Sequence, residues 1–190
     1  MEVDSGSGGM MMIKKNIVEK LNYFDETYQF GWTDGELMLR ATLSGYKCFN
    51  IPKAKVYHKQ KIWGIKRSYY QLRNRWFIIL ITYSLRTLIV ISPMLLFYEI
   101  FLLSFMIFKG GIKDYLQSWS YIIRNISSII EKRGKFQPNK VVLDKDYLNS
   151  GKFTVDSKLI ENKLLLLSKN LLNNLLNFYW ELVLKLKLIN

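Results

Sequence analysis

The run from Trp76 to Phe108, WFIILITYSLRTLIVISPMLLFYEIFLLSFMIF, has Arg86 and Glu99 as its only charged residues. Pro93 divides it into two pieces of about sixteen residues, each short of the roughly 20 apolar residues that cross a bilayer. Basic residues flank both ends, Arg73 and Arg75 before, Lys109 and Lys113 after. By the positive-inside rule both ends belong on the cytoplasmic side. The expectation is a helical hairpin, re-entrant or interfacial, in a membrane. A buried hairpin in a soluble protein is the plainer alternative, but so short a remainder of chain would hardly cover both faces.

The charge balance agrees. The chain of 190 residues has a formal net charge of +13, and no acidic residue falls between Glu36 and Glu99. Lys59, Lys61, Lys66, Arg67, Arg73 and Arg75 crowd just before the apolar run. Tyr69, Tyr70 and Trp63 interleave with these cations, a pattern that single-stranded nucleic acid also suits. Anionic headgroups are the nearer partner of a run that abuts a membrane segment, so no nucleic-acid partner is expected. Cys48 is the only cysteine, which excludes an internal disulfide.

Chemistry concentrates upstream, in NYFDETYQFGWTDGELMLRATLSGYKCFNIPKAKVYH from Asn22 to His58. Asp34 to Ser44 reads as a helix, with Leu37, Leu39, Ala41 and Leu43 apolar and Gly45 as its stop. Asp34 then sits at the helix N-terminus, where unpaired N–H groups and the macrodipole favour a carboxylate ready to accept a proton. The same residues also read as a capping box. Thr33 would cap the helix, Glu36 would reach back to its N–H, and Glu36 with Arg40 would pair one turn apart.

Beyond these local readings, the order of small motifs resembles the C-terminal half of a family 2 glycosyltransferase of the GT-A fold. They are Gly8-Gly9 with Met10 to Ile13, Phe24-Asp25-Glu26, Thr33-Asp34-Gly35-Glu36-Leu37, Arg40, Gly45-Tyr46, Pro52-Lys53-Ala54, Tyr57-His58 and Arg73-Asn74-Arg75. The resemblance covers roughly residues 3 to 135 and implies an α/β fold, a partial Rossmann-like domain over 1–58, followed by membrane-associated helices. It implies that Asp34 is the catalytic base, that Glu36 and Arg40 bind the acceptor, and that His58, Arg73 and Arg75 lie near the diphosphate or metal. The implied reaction is inverting transfer from a nucleotide-sugar donor to a glycan or lipid-linked acceptor at a membrane. A divalent cation, Mg or Mn, is expected for the complete enzyme. Two positions depart from the family pattern: Thr33 stands where an acidic residue is usual, and Glu36 where an Asp is.

A GT-A enzyme holds its donor on an N-terminal half of βα units with an Asp-x-Asp. No such half precedes the acidic loop, and the literal Asp144-x-Asp146 falls in a polar stretch far downstream. The expectation is therefore one part of a transferase, inactive alone: either a truncated reading frame or a chain whose other half a second polypeptide supplies. The alternative is a non-catalytic membrane anchor or accessory subunit of a split enzyme.

The rest divides into a basic segment, 59–75, the apolar hairpin, 76–108, and an amphipathic helix, 109–135, lying on the membrane. A linker, 136–157, and a long amphipathic helix, 158–190, complete it. Met10 to Ile13, Tyr46 to Ile51 and Lys55 to His58 are expected as short strands.

Overall fold

The computed structural model describes residues 2–3, 9–57, 59, 68–148 and 163–189. Their architecture is helical: 68% helix and 3% strand, with a single two-stranded sheet. This overturns the expected α/β, Rossmann-like domain. The sheet pairs β1 (Glu2–Val3) antiparallel with β2 (Cys48–Phe49), Val3 opposite Cys48. Met10 to Ile13 is not a strand; Met11 and Ile13 pack as irregular chain on Leu21, Leu37 and Ala41. The β-rich runs are too short, and interrupted by Pro52, to satisfy one another's backbone groups in a larger sheet.

Helices α1 (Lys15–Lys20) and α2 (Thr33–Leu43) lead to a long hairpin, α3 (Ser68–Thr82) and α4 (Leu85–Phe108). After the turn at Gly110, α5 (Ile112–Arg124) and α6 (Ile126–Phe136) return along it, and Asn125 breaks what reads in sequence as one helix. A short α7 (Asp144–Tyr147) and the tail helix α8 (Lys163–Lys185) follow. The main core joins Tyr28, Leu39 and Leu43 to Phe77, Ile78 and Ile81 of α3 and to Ile122, Ile129 and Phe136. Helix α2 therefore rests on α3, and α3 carries the hairpin.

The hairpin bends at Tyr83–Ser84, not at Pro93. Pro93 lies inside α4, where it cannot donate to the Ile89 carbonyl. The Ser92 hydroxyl donates to that carbonyl instead, at 2.8 Å, so the helix continues through the proline. The true bend is built by polar groups. Ser84 caps α4 by accepting from the Thr87 N–H at 3.1 Å. Asp144, 3% exposed, accepts from the Ser84 N–H at 2.8 Å and the Thr87 hydroxyl at 2.5 Å, and pairs with Lys140.

The last carbonyls of α3 are satisfied from α6 and the turn after it. Arg133 donates to Leu80 and Tyr83 at 2.6 and 2.7 Å, Gln137 to Ile81 and Thr82 at 2.8 and 2.9 Å, and Lys140 to Thr82 at 2.9 Å. Cations are favoured there by the helix dipole as well as by the open acceptors.

Burial pushes the Asp144 carboxyl up, but hydrogen bonds from Lys140, Thr87 and Ser84 outweigh it and hold the group below the usual carboxylate range. Asp25 behaves alike, with burial opposed by Lys132 and Thr27. As the pH falls below about 4, the unfolded chain protonates these groups before the native chain does. Their stabilising contribution is thus full near neutrality and is lost on acidification through the native values. The thermal midpoint should stay level from about pH 7 to 5 and drop below about pH 4. Asp144→Asn should make that drop shallower.

Candidate functional site

The loop from Leu21 to Trp32, leading into α2, is held in an unusual shape. Asn22, Tyr23, Phe30 and Trp32 have φ of 58°, 57°, 53° and 66°, and Gly31 lies at 137°. For bulky side chains the left-handed region is disfavoured, at roughly 1–3 kcal/mol per residue. Phe30, Gly31 and Trp32 adopt positive φ in succession, immediately before Thr33 and Asp34.

Side chains from two helices hold this shape by gripping the loop's carbonyls. From α3, Arg73 donates to Thr27 O at 2.5 Å, while Asn74 donates to Gln29 O at 3.2 Å and Gly31 O at 2.8 Å. Both are almost fully buried. Arg73 also donates to the Asn74 amide oxygen at 2.9 Å, and its guanidinium lies 4.8 Å from the Tyr121 ring centroid and 5.3 Å from that of Tyr70. From α2, Thr33 donates to Tyr28 O at 2.8 Å, and Arg40 donates to Leu21 O and, at 2.9 Å, to Tyr23 O. Lys132 of α6 reaches Asp25 and the Thr27 hydroxyl. The Arg-Asn pair that stands out in the sequence is thus a clamp on the acidic loop.

Asp34 sits partly exposed in the first turn of α2. Glu36 is buried, and Arg40 binds both its oxygens, Nε to Oε1 at 2.7 Å and Nη2 to Oε2 at 2.9 Å. The one-turn pair expected from the sequence therefore forms. The capping box does not: Thr33 turns to Tyr28, the preceding Trp32 is left-handed, and no side chain caps α2.

Arg73 and Arg75, expected near the diphosphate, face different neighbours. Arg73 faces the loop. Arg75 faces α4, where it pairs with Glu99 and lies 4.5 Å from the Tyr98 ring centroid. His58 lies outside the described residues. Among the described residues no group of three His, Cys, Asp or Glu side chains could hold a metal ion, and the carboxylate nearest Asp34 on α2 is taken by Arg40.

Asp144 was the residue least visible in the sequence. Its one signal was the literal Asp144-x-Asp146 spacing, which falls in a polar stretch. Helix α4 is long and apolar enough to cross a membrane. It is also inside out, its buried residues being Thr87, Glu99 and Met106 while Ile89, Leu96, Phe97 and Ile100 are exposed. No family model matches the chain, and no curated protein and no solved structure matches it.

Proposed function

We propose that this chain is the acceptor-side, membrane-anchored part of an inverting sugar-transferring enzyme, with Asp34 as its base. The observation that carries the reading is the clamped loop. A costly run of positive φ, maintained by buried Arg73 and Asn74, leads directly to a partly exposed carboxylate on a helix N-terminus. Strain kept in place by buried polar groups marks a site that must hold one geometry. The sequence resemblance gives that geometry its chemistry.

Asp34 takes the proton of an acceptor hydroxyl as the oxygen attacks the anomeric carbon of a nucleotide-activated sugar. The new C–O bond forms on the face opposite the departing nucleotide diphosphate, which leaves with the electron pair of the broken bond. Glu36 and Arg40 act on this site indirectly, by tying Leu21 and Tyr23 to α2. The donor is held by another region or polypeptide, since the described helices contain no nucleotide-binding βα unit. The reading puts the reaction at the cytoplasmic face, the side the positive-inside rule favours for the cations flanking the apolar run.

The alternative, a non-catalytic anchor of a split transferase, draws on one observation: Glu36 and Arg40 are wholly engaged with each other and the loop. Membranes from cells producing the full chain, and from cells lacking it, separate the two readings when incubated with tritiated nucleotide sugars. Label entering the lipid or glycan fraction only with the chain present, and lost with Asp34→Asn, is expected. Transfer that depends on the chain but is indifferent to Asp34→Asn would establish the anchor instead.

A further inference from the structure

Resting on the membrane reading above, we infer that α4 does not cross the bilayer but lies lengthwise in one leaflet, its Ile89, Leu96, Phe97, Ile100, Ile107 and Phe108 face in lipid. The argument comes from the path of the chain. Helix α4 is bound to the polar body at both ends and at its middle. At the Ser84 end, Ser84 and Thr87 are held by Asp144. In the middle, Glu99 pairs with Arg75 and accepts from Trp76 Nε1 at 3.1 Å and the Tyr115 hydroxyl at 2.9 Å. At the Lys109 end, Met106 packs on Leu72 and Tyr115.

Helices α5 and α6 then return from the Lys109 end to the Ser84 end, where Arg133 and Gln137 cap α3. If α4 crossed, α3 and the α5–α6 pair would have to cross beside it. That would carry the exposed Arg124, at the joint of α5 and α6, and Glu131 of α6 through hydrocarbon. Each such charge costs about 2.5–3.5 kcal/mol at the centre of a span even on the lowest scale. Lying in one leaflet removes the conflict. The apolar face enters lipid while the polar contacts of Thr87 and Glu99 stay with the body. Arg86, Lys109 and Lys113, near the two ends of α4, are placed for anionic headgroups.

Helix α8 runs beside α4 in the opposite direction. The Tyr179 hydroxyl donates to Val90 O at 2.5 Å, and Arg86 donates to Leu188 O at 2.8 Å. The exposed Leu167, Leu171, Leu175 and Phe178 of α8 would widen the apolar surface.

The test is side-specific labelling. In a Cys48→Ser background, Lys113→Cys reports one end of α4 and Lys145→Cys the other; both positions are exposed. Intact right-side-out and inverted membrane vesicles carrying the full chain are treated with a membrane-impermeant maleimide. Both cysteines should be labelled in the same vesicle orientation and protected in the other. Labelling from opposite faces would overturn the inference while leaving membrane attachment intact. Recovery of the protein in the soluble fraction after carbonate extraction would overturn both.

Discussion

Asp34→Asn is expected to lower the initial rate of sugar transfer by about 10²–10⁴-fold, the range removed with a general base, while moving the thermal midpoint little. Asparagine keeps the size and polarity of the side chain, so the first turn of α2 keeps its contacts. What is lost is the ability to take a proton, together with a charge–dipole interaction of about 0.3–1 kcal/mol. The core beneath does not depend on this residue, because α2 is fastened by Leu37, Leu39 and Leu43 and by the Glu36–Arg40 pair. Residual transfer near the native rate, with a large drop in stability, would return Asp34 to a purely structural role.

Glu99→Leu should have the largest effect on stability. Glu99 and Arg75 have side chains only 10% and 17% exposed. Removing the carboxylate leaves a buried guanidinium without its counter-charge, which costs about 3–5 kcal/mol. Trp76 and Tyr115 lose their acceptor as well. For a chain of this size that is a fall in thermal midpoint of roughly 6–20 °C, measured in detergent. Replacing both partners, Arg75→Leu with Glu99→Leu, should restore the part of the loss that comes from the unpaired guanidinium, while Trp76 and Tyr115 still lack their acceptor. The double replacement also removes Arg75 Nε, a buried donor with no hydrogen-bond partner among the described residues. A double variant as unstable as the single one would mean that the pair stabilises the hairpin beyond its desolvation cost.

Periodicity made the helices legible and left their joints obscure. The apolar spacing of α2 and the leucine rows of α8 each follow from a local pattern. The hairpin bend does not, because a proline breaks some helices and is carried within others, and here Ser92 donates to the carbonyl that Pro93 leaves unmet. Asp144 was opaque for a different reason: its partners Thr87 and Ser84 lie 57 and 60 residues away, beyond any local motif. At the candidate site, the Glu36–Arg40 pair follows from spacing, and Asp34 as a base from the family resemblance. Arg73 and Asn74 drew notice as a pair, but that they grip Thr27, Gln29 and Gly31 depends on a helix some 45 residues downstream packing under the loop. The expected sheet failed because short β-rich runs become strands only where neighbours complete their backbone bonds.

The clamp and the base form one device, and a double-mutant cycle tests that claim most directly. Initial transfer rates are measured for Asn74→Ala in the native background and again in the Asp34→Asn background. If Asn74 works by presenting Asp34, its loss costs up to about 100-fold in the first case and almost nothing in the second, where no base remains to misplace. The same loss in both backgrounds would contradict it.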